Sequence, residues 1–247
     1  PIKVSMTTAH AHPNIALVKY WGKQEKPGNL PATPNLSITL AGLTTVTHVN
    51  DAPSDTFILN SNEASDPKLV RWLEALRGTF DVPPLQIHSG NDFPTSAGLA
   101  SSASGFAALI TAINAHCDLG LNQEMCSEWA RVGSASAARS IFGGFVALVP
   151  PQWQAIPMAK RDHWPLEVVV AVTSNEPKNV NSGEGMERSR LTSPYYNAWV
   201  RDATTDFAAA SEAIERRDFP SLAAVAELNC LKMHSIMLTS QPTLSYW

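Results

Sequence analysis

The sequence predicts an α+β protein of two domains, in which mixed sheets pack against helices. Short segments with strand-like apolar patterns lie between longer segments with apolar residues at helical spacing. An irregular, Pro-rich stretch from Pro150 to Pro165 divides these elements, so we expect domains at residues 1–165 and 166–247. The second domain contains one predicted strand and two helices, which are too few to close a core. We therefore expect it to be smaller and incomplete, with a C-terminal portion missing.

Five strands are predicted in the first domain, at residues 14–18, 36–40, 44–49, 85–88 and 145–149. The segment from Asn14 to Val18 is nearly all apolar and is followed by Lys19, so we expect a buried strand that brings cations to its end. Residues 36–40 alternate in the strand manner and residues 44–49 are rich in β-branched side chains, which favours an antiparallel opening. A turn at Gly143–Gly144 leads into the last strand.

Helices are predicted in the first domain where apolar residues recur every three or four positions. Asp66 and Pro67 form a favourable helix start, and Gly78 ends that helix. A second helix is predicted from Ser101 to Ala115, and a third begins after Asn122. The inward-facing residues are predicted to be Leu69, Val70, Leu73 and Leu76; Phe106, Leu109, Ile110 and Ile113; and Met125, Trp129 and Val132.

The second domain begins with a β-branched segment, Leu166 to Thr173, which predicts a buried strand. Ser193 and Pro194 predict the start of a long helix, and residues 222–238 predict another. The inward-facing residues are predicted to be Tyr196, Trp199, Val200, Ala203, Phe207, Ala210 and Ile214 on the first, and Leu222, Val225, Ala226, Met233 and Met237 on the second.

The composition excludes several classes of protein. Of the 247 residues, 44% are hydrophobic and 16% are charged, which excludes a disordered chain, and three cysteines are too few for a disulfide scaffold. The net charge of −4 supplies no general basic field, so we expect neither nucleic acid nor a membrane surface as the main partner. The longest apolar runs are far shorter than a membrane-spanning helix and no signal peptide opens the chain, which predicts a cytoplasmic protein.

Two groups of residues are candidates for anion binding. Residues 92–105 place small and hydroxyl side chains at a helix start, where unpaired backbone N–H groups attract phosphate. Ser134, Ser136 and Arg139 offer hydroxyl and guanidinium donors that suit a carboxylate or a phosphate, and Lys19, Tyr20 and Lys23 add donors at a strand end. A Ser-rich helix start and surface ion pairs are the alternatives. His10 and His12 have the spacing of metal ligands, but no cluster completes a site.

Three segments together closely resemble the diphosphomevalonate decarboxylase family of the GHMP kinase superfamily: Asn14–Lys23, Phe93–Gly105 and Arg131–Phe145. Residues 163–165, 182–186, 192–194 and 233–247 resemble it too, so the resemblance covers nearly the whole chain. It implies a two-domain GHMP kinase-like fold with an ATP-binding N-terminal domain and a C-terminal α/β sandwich. It also implies ATP-dependent decarboxylation of mevalonate 5-diphosphate to isopentenyl diphosphate in isoprenoid and sterol biosynthesis, by a cytoplasmic homodimer.

The resemblance implies roles for individual residues. Asn14, Lys19 and Arg139 are expected at the reacting centre. Substrate binding is expected from Tyr20, Trp21, Lys23, Ser134, Ser136, Arg139 and Ser182. ATP, with Mg²⁺, is expected to be bound by Pro94, Gly98, Leu99, Ala100, Ser101, Ser102, Ala103, Ser104 and Gly105.

The sequence departs from the family pattern in three places. The family's catalytic Asp belongs to an Asp-Ala-Gly-Pro-Asn-type segment, which is expected beyond Trp247. Residues 152–162 are shorter than the family's inter-domain loop, and Ala135 and Ala138 replace residues that are often Gly and a small or thiol residue. The alternatives are a phosphomevalonate decarboxylase, a mevalonate kinase-like enzyme, or a non-catalytic relative that binds a small molecule.

Overall fold

The computed structural model describes residues 6–93, 101–171 and 179–246. Residues that pack together form two compact units: unit 1 comprises Pro1–Asn14 and Leu40–Phe142, and unit 2 comprises Ile15–Thr39 and Gly143–Trp247. The predicted domain boundary at residue 165 stays a prediction, because these units group residues by packing rather than by continuous segments. No helix within the described ranges is both long and apolar enough to cross a membrane.

The described residues form strands and helices in the following order. The strands are β1 (Thr7–Ala11), β2 (Asn14–Val18), β3 (Asn35–Thr39), β4 (Thr45–Asp51), β5 (Thr56–Leu59), β6 (Asn62–Glu63), β7 (Leu85–Asn91), β8 (Phe145–Val149) and β9 (Gln154–Ala159). The helices are α1 (Pro67–Arg77), α2 (Ser101–His116), α3 (Gln123–Gly133), α4 (Ala137–Ser140), α5 (Ser182–Thr192), α6 (Tyr196–Arg216) and α7 (Phe219–Leu238). This mixture confirms the predicted α+β class.

Unit 1 is a five-stranded sheet of order β1-β4-β7-β5-β6 that packs against helices. β4 pairs antiparallel with β1 and β7, whereas β5 pairs parallel with β7. Helix α2 packs on β1 and β4, and its predicted stripe is buried as expected. The core residues that are 2% exposed or less include Val49, Leu73, Leu76, Leu85, Ile87, Ile110 and Ile113. This core holds the beginning of α2 against the sheet.

Two predicted inward-facing residues of unit 1 are wrong. Val70 is 40% exposed and Met125 is 42% exposed, while their helical neighbours Trp72 and Cys126 are buried. Successive helix residues are turned by about 100°. An apolar residue at the edge of a stripe can therefore be buried or exposed, depending on which of its helical neighbours packs into the core.

Unit 2 contains a four-stranded sheet of order β2-β3-β8-β9, in which β8 pairs antiparallel with β3 and β9. Helices α6 and α7 pack along each other, and α6 also contacts β3 and β9. Their shared core contains Val18, Leu36, Phe145, Ala210, Ile214 and Leu222. β2 is an edge strand of this sheet, and Val18 at its end belongs to the shared core. The cationic residues of the sequence motif follow directly after it.

Three expectations for unit 2 are corrected. The described part of the predicted strand, residues 166–171, is not in a strand, and Val169 is 94% exposed. No strand among the described residues pairs with it, and β-branched composition alone does not supply the backbone partners that a strand needs. Residues 150–165 are not irregular throughout, since they contain β9. Helix α6 begins at Tyr196, because Ser193 ends α5, a mostly polar helix that no apolar stripe predicted.

The two faces of α1 give a stability test. We expect Leu73→Ala to lower the free energy of unfolding by about 2–5 kcal/mol, because Leu73 is 1% exposed. Val70→Ala in the same helix shortens a side chain that is 40% exposed, and we expect a loss of less than about 1 kcal/mol. Chemical denaturation followed by circular dichroism measures both. Equal losses for the two variants would contradict this assignment of the buried face.

Candidate functional site

A buried guanidinium lies beside a buried amide in unit 1. Arg139 in α4 is 2% exposed and Asn14 at the start of β2 is 3% exposed. Arg139 Nη2 donates to Asn14 Oδ1 at 3.2 Å, and Asn14 Nδ2 donates to Ser140 Oγ at 2.7 Å and to the carbonyl of Ser136 at 3.1 Å. Burying a charge is costly unless hydrogen bonds compensate for the lost water. These contacts hold the guanidinium in a fixed place, where it could bind a carboxylate or a phosphate.

A row of hydroxyl groups connects the start of α2 with the segment after α3. Ser102 Oγ lies 3.3 Å from Ser134 Oγ, which lies 3.2 Å from Ser136 Oγ. The structure thus brings together the two segments that the sequence offers as separate candidates for anion binding. Hydroxyls at a helix start are suited to phosphate oxygens.

The other residues predicted to bind the nucleotide differ in accessibility. Ala103 and Ser104 are fully buried, and Ser104 Oγ accepts a hydrogen bond from Thr45 Oγ1 at 2.6 Å. Their side chains belong to the core of unit 1, so any contact with a ligand would come from the backbone. Pro94, Gly98, Leu99 and Ala100 lie outside the described residues.

A cavity of about 250 Å³ opens beside Ser101, Ser102 and Gly105. Its apolar wall includes Leu59, Ile87, Phe106 and Leu109, and its polar edge includes Asn60, Lys68 and Asn91. Lys68 Nζ lies 5.0 Å from the centroid of the Phe106 ring. A flat ring with hydrogen-bonding edges, such as a nucleobase, suits this lining. The sequence did not predict this cavity, because α1, α2, β5 and β7 each contribute only a few residues to it.

In unit 2, Lys19 and Lys23 lie at the two ends of a constrained segment. The backbone N–H of Lys19 donates to Asn229 Oδ1 at 2.7 Å, and Lys19 Nζ donates to the Ala16 carbonyl at 2.9 Å. Lys23 Nζ donates to Asn29 Oδ1 at 2.7 Å, and burial lowers the pKa of this ammonium group. A Cβ built on Gly183 would lie 3.9 Å from Lys23 Nζ. The ammonium group therefore lies near the first turn of α5, where a helix N-terminus also favours anions.

The residues between the two lysines are fixed by helices of unit 2. Trp21 Nε1 donates to Ser189 Oγ at 3.0 Å, and Trp199 Nε1 donates to the Trp21 carbonyl at 2.8 Å. Gly22 has a φ of +123°, and a Cβ there would lie 2.2 Å from the Tyr196 hydroxyl oxygen. Only glycine fits this position without rearrangement. Trp21 is 5% exposed, so its side chain supports the segment from within the core.

The remaining predicted residues are placed as follows. Ser182 is the first residue of α5, in the turn that lies near Lys23, and Tyr20 is half-buried against the core around Trp21. His12 Nδ1 lies 2.7 Å from the Leu43 carbonyl oxygen, so this ring nitrogen is already engaged with the backbone. Within the described part of the chain, no group of three His, Cys, Asp or Glu side chains could hold a metal ion. Burial raises the pKa of Cys126 to about 11, which keeps this thiol protonated.

Family models match most of the chain. A diphosphomevalonate decarboxylase-like N-terminal domain matches residues 11–154, and a mevalonate 5-diphosphate decarboxylase C-terminal domain matches residues 168–247. The diphosphomevalonate decarboxylase of Candida albicans is 36% identical over 94% of this chain and 72% of its own length. For the human enzyme the identity is 34%, over 98% of this chain and 68% of its own length.

Solved structures agree with this match. The mevalonate diphosphate decarboxylase of Staphylococcus aureus superposes with a TM-score of 0.85 at 36% identity, covering 98% of this chain and 77% of that one. The Trypanosoma brucei enzyme gives a TM-score of 0.87 at 34% identity, covering 98% and 69%. A complex of MDDEF with MVAPP, AMPPCP and magnesium gives 0.84 at 35% identity, covering 98% and 79%. Similarity at this level extends over both halves of the chain.

The charge of Lys19 is expected to influence a nearby histidine. Burial lowers the pKa of His234, and the positive charge of Lys19 lowers it further. Removing that charge by Lys19→Met therefore raises the pKa of His234, although burial still keeps it below the usual value for histidine. NMR titration of the His234 ring measures this shift, with Lys26→Met at an exposed position as the control. An unchanged or lowered pKa in Lys19→Met would contradict the proximity of the two groups.

Proposed function

This chain belongs to the diphosphomevalonate decarboxylase family, and we propose that it converts mevalonate 5-diphosphate and ATP to isopentenyl diphosphate, ADP, phosphate and CO2. This is a step of isoprenoid and sterol biosynthesis by the mevalonate pathway. The observation that carries the proposal is the buried, hydrogen-bonded pair of Arg139 and Asn14, whose guanidinium is suited to an anion, in a chain that matches both domains of this family.

ATP is proposed to bind in unit 1. The hydroxyls of Ser101 and Ser102 would contact its phosphates at the start of α2, together with residues 94–100, and the adjacent cavity would receive the base. Magnesium bound with ATP neutralises phosphate charge and needs few protein ligands, which fits a site with hydroxyl groups and no carboxylate cluster among the described residues. The protein then contributes positioning and hydrogen-bond donors, as phosphoryl transfer requires.

The substrate is proposed to be held through its two anionic ends. The substrate-binding residues proposed in unit 2 are Tyr20, Trp21, Lys23 and Ser182. Those proposed in unit 1 are Ser134, Ser136 and Arg139. Lys23 provides a cation and the nearby first turn of α5 provides backbone N–H groups, a combination suited to a diphosphate. Arg139, held by Asn14, offers paired donors in one plane.

The proposed reaction has two steps. The tertiary 3-hydroxyl of the substrate gives its proton to a general base and attacks the γ-phosphorus of ATP, and ADP leaves as the bond from that phosphorus to the β,γ-bridging oxygen breaks. The C–O bond to the new phosphate then breaks, the C–C bond to the carboxylate breaks, and the electron pair of the latter forms the double bond as CO2 leaves. Asn14 and Lys19 are proposed to lie at the reacting centre, where fixed dipoles and charges stabilise charge that develops.

The assembly and location are also proposals. We propose a cytoplasmic homodimer, with domains divided at residue 165. The ends of the two family models, at residues 154 and 168, lie on either side of this boundary and support it.

The activity is tested by incubating the protein with Mg-ATP and mevalonate 5-diphosphate and measuring ADP and CO2 together. Equal release of both is the expected result. ADP without CO2 would indicate a kinase-like enzyme, and binding without either product would indicate a non-catalytic relative. The same assay with mevalonate 5-phosphate distinguishes a phosphomevalonate decarboxylase.

Arg139 provides the most direct mutational test of the proposed site. We expect Arg139→Ala to weaken substrate binding or to slow turnover at least tenfold, because the buried site loses its fixed anion-binding donors. Steady-state kinetics for both substrates measure this loss. Arg77→Ala is the matched control, since Arg77 pairs with Asp55 at the surface of the same unit. Near-normal kinetics of Arg139→Ala would contradict the proposed role.

A further inference from the structure

A buried polar network in unit 2 leads to the backbone of Lys19. Asn229 on α7 is fully buried and accepts the Lys19 N–H at Oδ1, at 2.7 Å. Its Nδ2 donates to Asp206 Oδ2 on α6 at 2.8 Å, and Asp206 is 5% exposed. Lys232 Nζ donates to both carboxylate oxygens of Asp206, at 2.8 and 3.0 Å, and also pairs with Asp202. The chain of contacts therefore runs from the protein surface to the end of β2.

The chemistry of each group fixes the direction of this network. A carboxylate only accepts hydrogen bonds, so Asp206 requires the amide NH2 of Asn229 on its side. The amide oxygen of Asn229 must then face the opposite way, toward the Lys19 N–H. The ammonium group of Lys232 compensates for the buried charge of Asp206. Each partner thus determines the orientation of the next one.

Burying this polar network between α6 and α7 costs free energy, because its charged and amide groups lose their contacts with water. Around it, α6 and α7 pack through apolar residues such as Ala203, Ala210 and Ile236, which are 1% exposed or less. A well-packed apolar pair would join the helices equally well, without the cost of burying a carboxylate and an amide. An apolar residue at position 229 could not satisfy the N–H of Lys19, however. The feature that requires Asn229 is therefore the position of the Lys19 backbone.

We propose that Asp206, Asn229 and Lys232 are positioning residues that fix Lys19 for catalysis. They do not touch the reacting atoms; they act through the backbone at the end of β2. This inference rests on the proposed function for the catalytic role of Lys19, whereas the orientation of the Lys19 backbone can be tested without any activity.

The test exchanges the two central residues. In Asn229→Asp, two carboxylates face each other without a donor between them, and in Asp206→Asn an amide nitrogen faces either the amide of Asn229 or the ammonium of Lys232. The double variant, which combines Asn229→Asp with Asp206→Asn, reverses the natural order of carboxylate and amide. It can restore every contact between positions 19, 229, 206 and 232 except the 3.0 Å hydrogen bond from Lys232 Nζ to the Oδ2 position of residue 206. Its carboxylate at position 229 accepts from the Lys19 N–H, and its amide at position 206 donates to that carboxylate while its oxygen accepts from Lys232. Swapping the two residues therefore distinguishes an effect of the donor–acceptor order from an effect of which residue stands at each position.

The kinetic expectation is a loss in each single variant and a recovery in the double variant. We expect kcat to fall at least tenfold in Asn229→Asp and in Asp206→Asn, with KM for ATP changed less than twofold, and to return to within threefold in the double variant. Asp218→Ala is the control, because it removes the N-terminal cap of α7 without contacting Lys19. Its melting temperature should fall while its kcat stays within twofold of the natural protein. Single variants no slower than this control, or a double variant no faster than the singles, would overturn the proposal.

Amide hydrogen exchange gives the second measurement and needs no substrate. The Lys19 amide should exchange at least tenfold faster in each single variant than in the natural protein, and the double variant should restore its protection. The amide of Ala147, in the middle of β8, is the internal reference. An unchanged Lys19 exchange rate in the single variants would overturn the proposal, whether or not the natural protein shows decarboxylase activity. Faster exchange of the Lys19 amide in the single variants, combined with no activity of the natural protein, would support the positioning role and contradict the proposed function.

Discussion

The requirement that a buried guanidinium be hydrogen-bonded organises the candidate site of unit 1. Arg139 is almost completely buried, and Asn14 accepts one of its N–H groups while donating to Ser140 and to the Ser136 backbone. Asn14 is also the first residue of β2 (Asn14–Val18), so the contact that stabilises the charge also fixes the position of this residue. Ser136, whose carbonyl accepts from Asn14, also belongs to the row of serine hydroxyls beside the start of α2. The guanidinium proposed to bind an anion and the groups that hold it are thus one structure.

In unit 2, the segment from Lys19 to Lys23 also depends on hydrogen bonds from other elements. This segment is not part of a strand, so its backbone groups need partners from elsewhere. Asn229 and Trp199 supply two of these partners from α7 and α6, and Ser189 of α5 holds the Trp21 ring. Gly22 allows the close approach of Tyr196. Three helices therefore determine where the cationic segment lies, which gives α5 to α7 a role beyond covering the sheet.

The sequence predicts local features of this protein well and distant contacts poorly. The apolar run of β2, the N-cap at Asp66 and the helical stripe of α2 depend on neighbouring residues, and all three are present in the structure. The contact between Lys19 and Asn229 joins residues 210 positions apart, and no spacing rule reports it. A polar Asn among the apolar residues of α7 is the only local sign of its importance. Residues 166–171 show the converse, since a strand-like composition does not create the neighbouring strand that pairing requires.

Isotope transfer tests the central claim, that the 3-hydroxyl is phosphorylated before the carboxylate is lost. Mevalonate 5-diphosphate carrying ¹⁸O in its 3-hydroxyl is incubated with the protein and Mg-ATP, and the released phosphate is analysed by mass spectrometry. The account predicts one ¹⁸O atom in each phosphate released, because the labelled oxygen leaves with the transferred phosphoryl group. Phosphate without the label, or CO2 released in the absence of ATP, would contradict it.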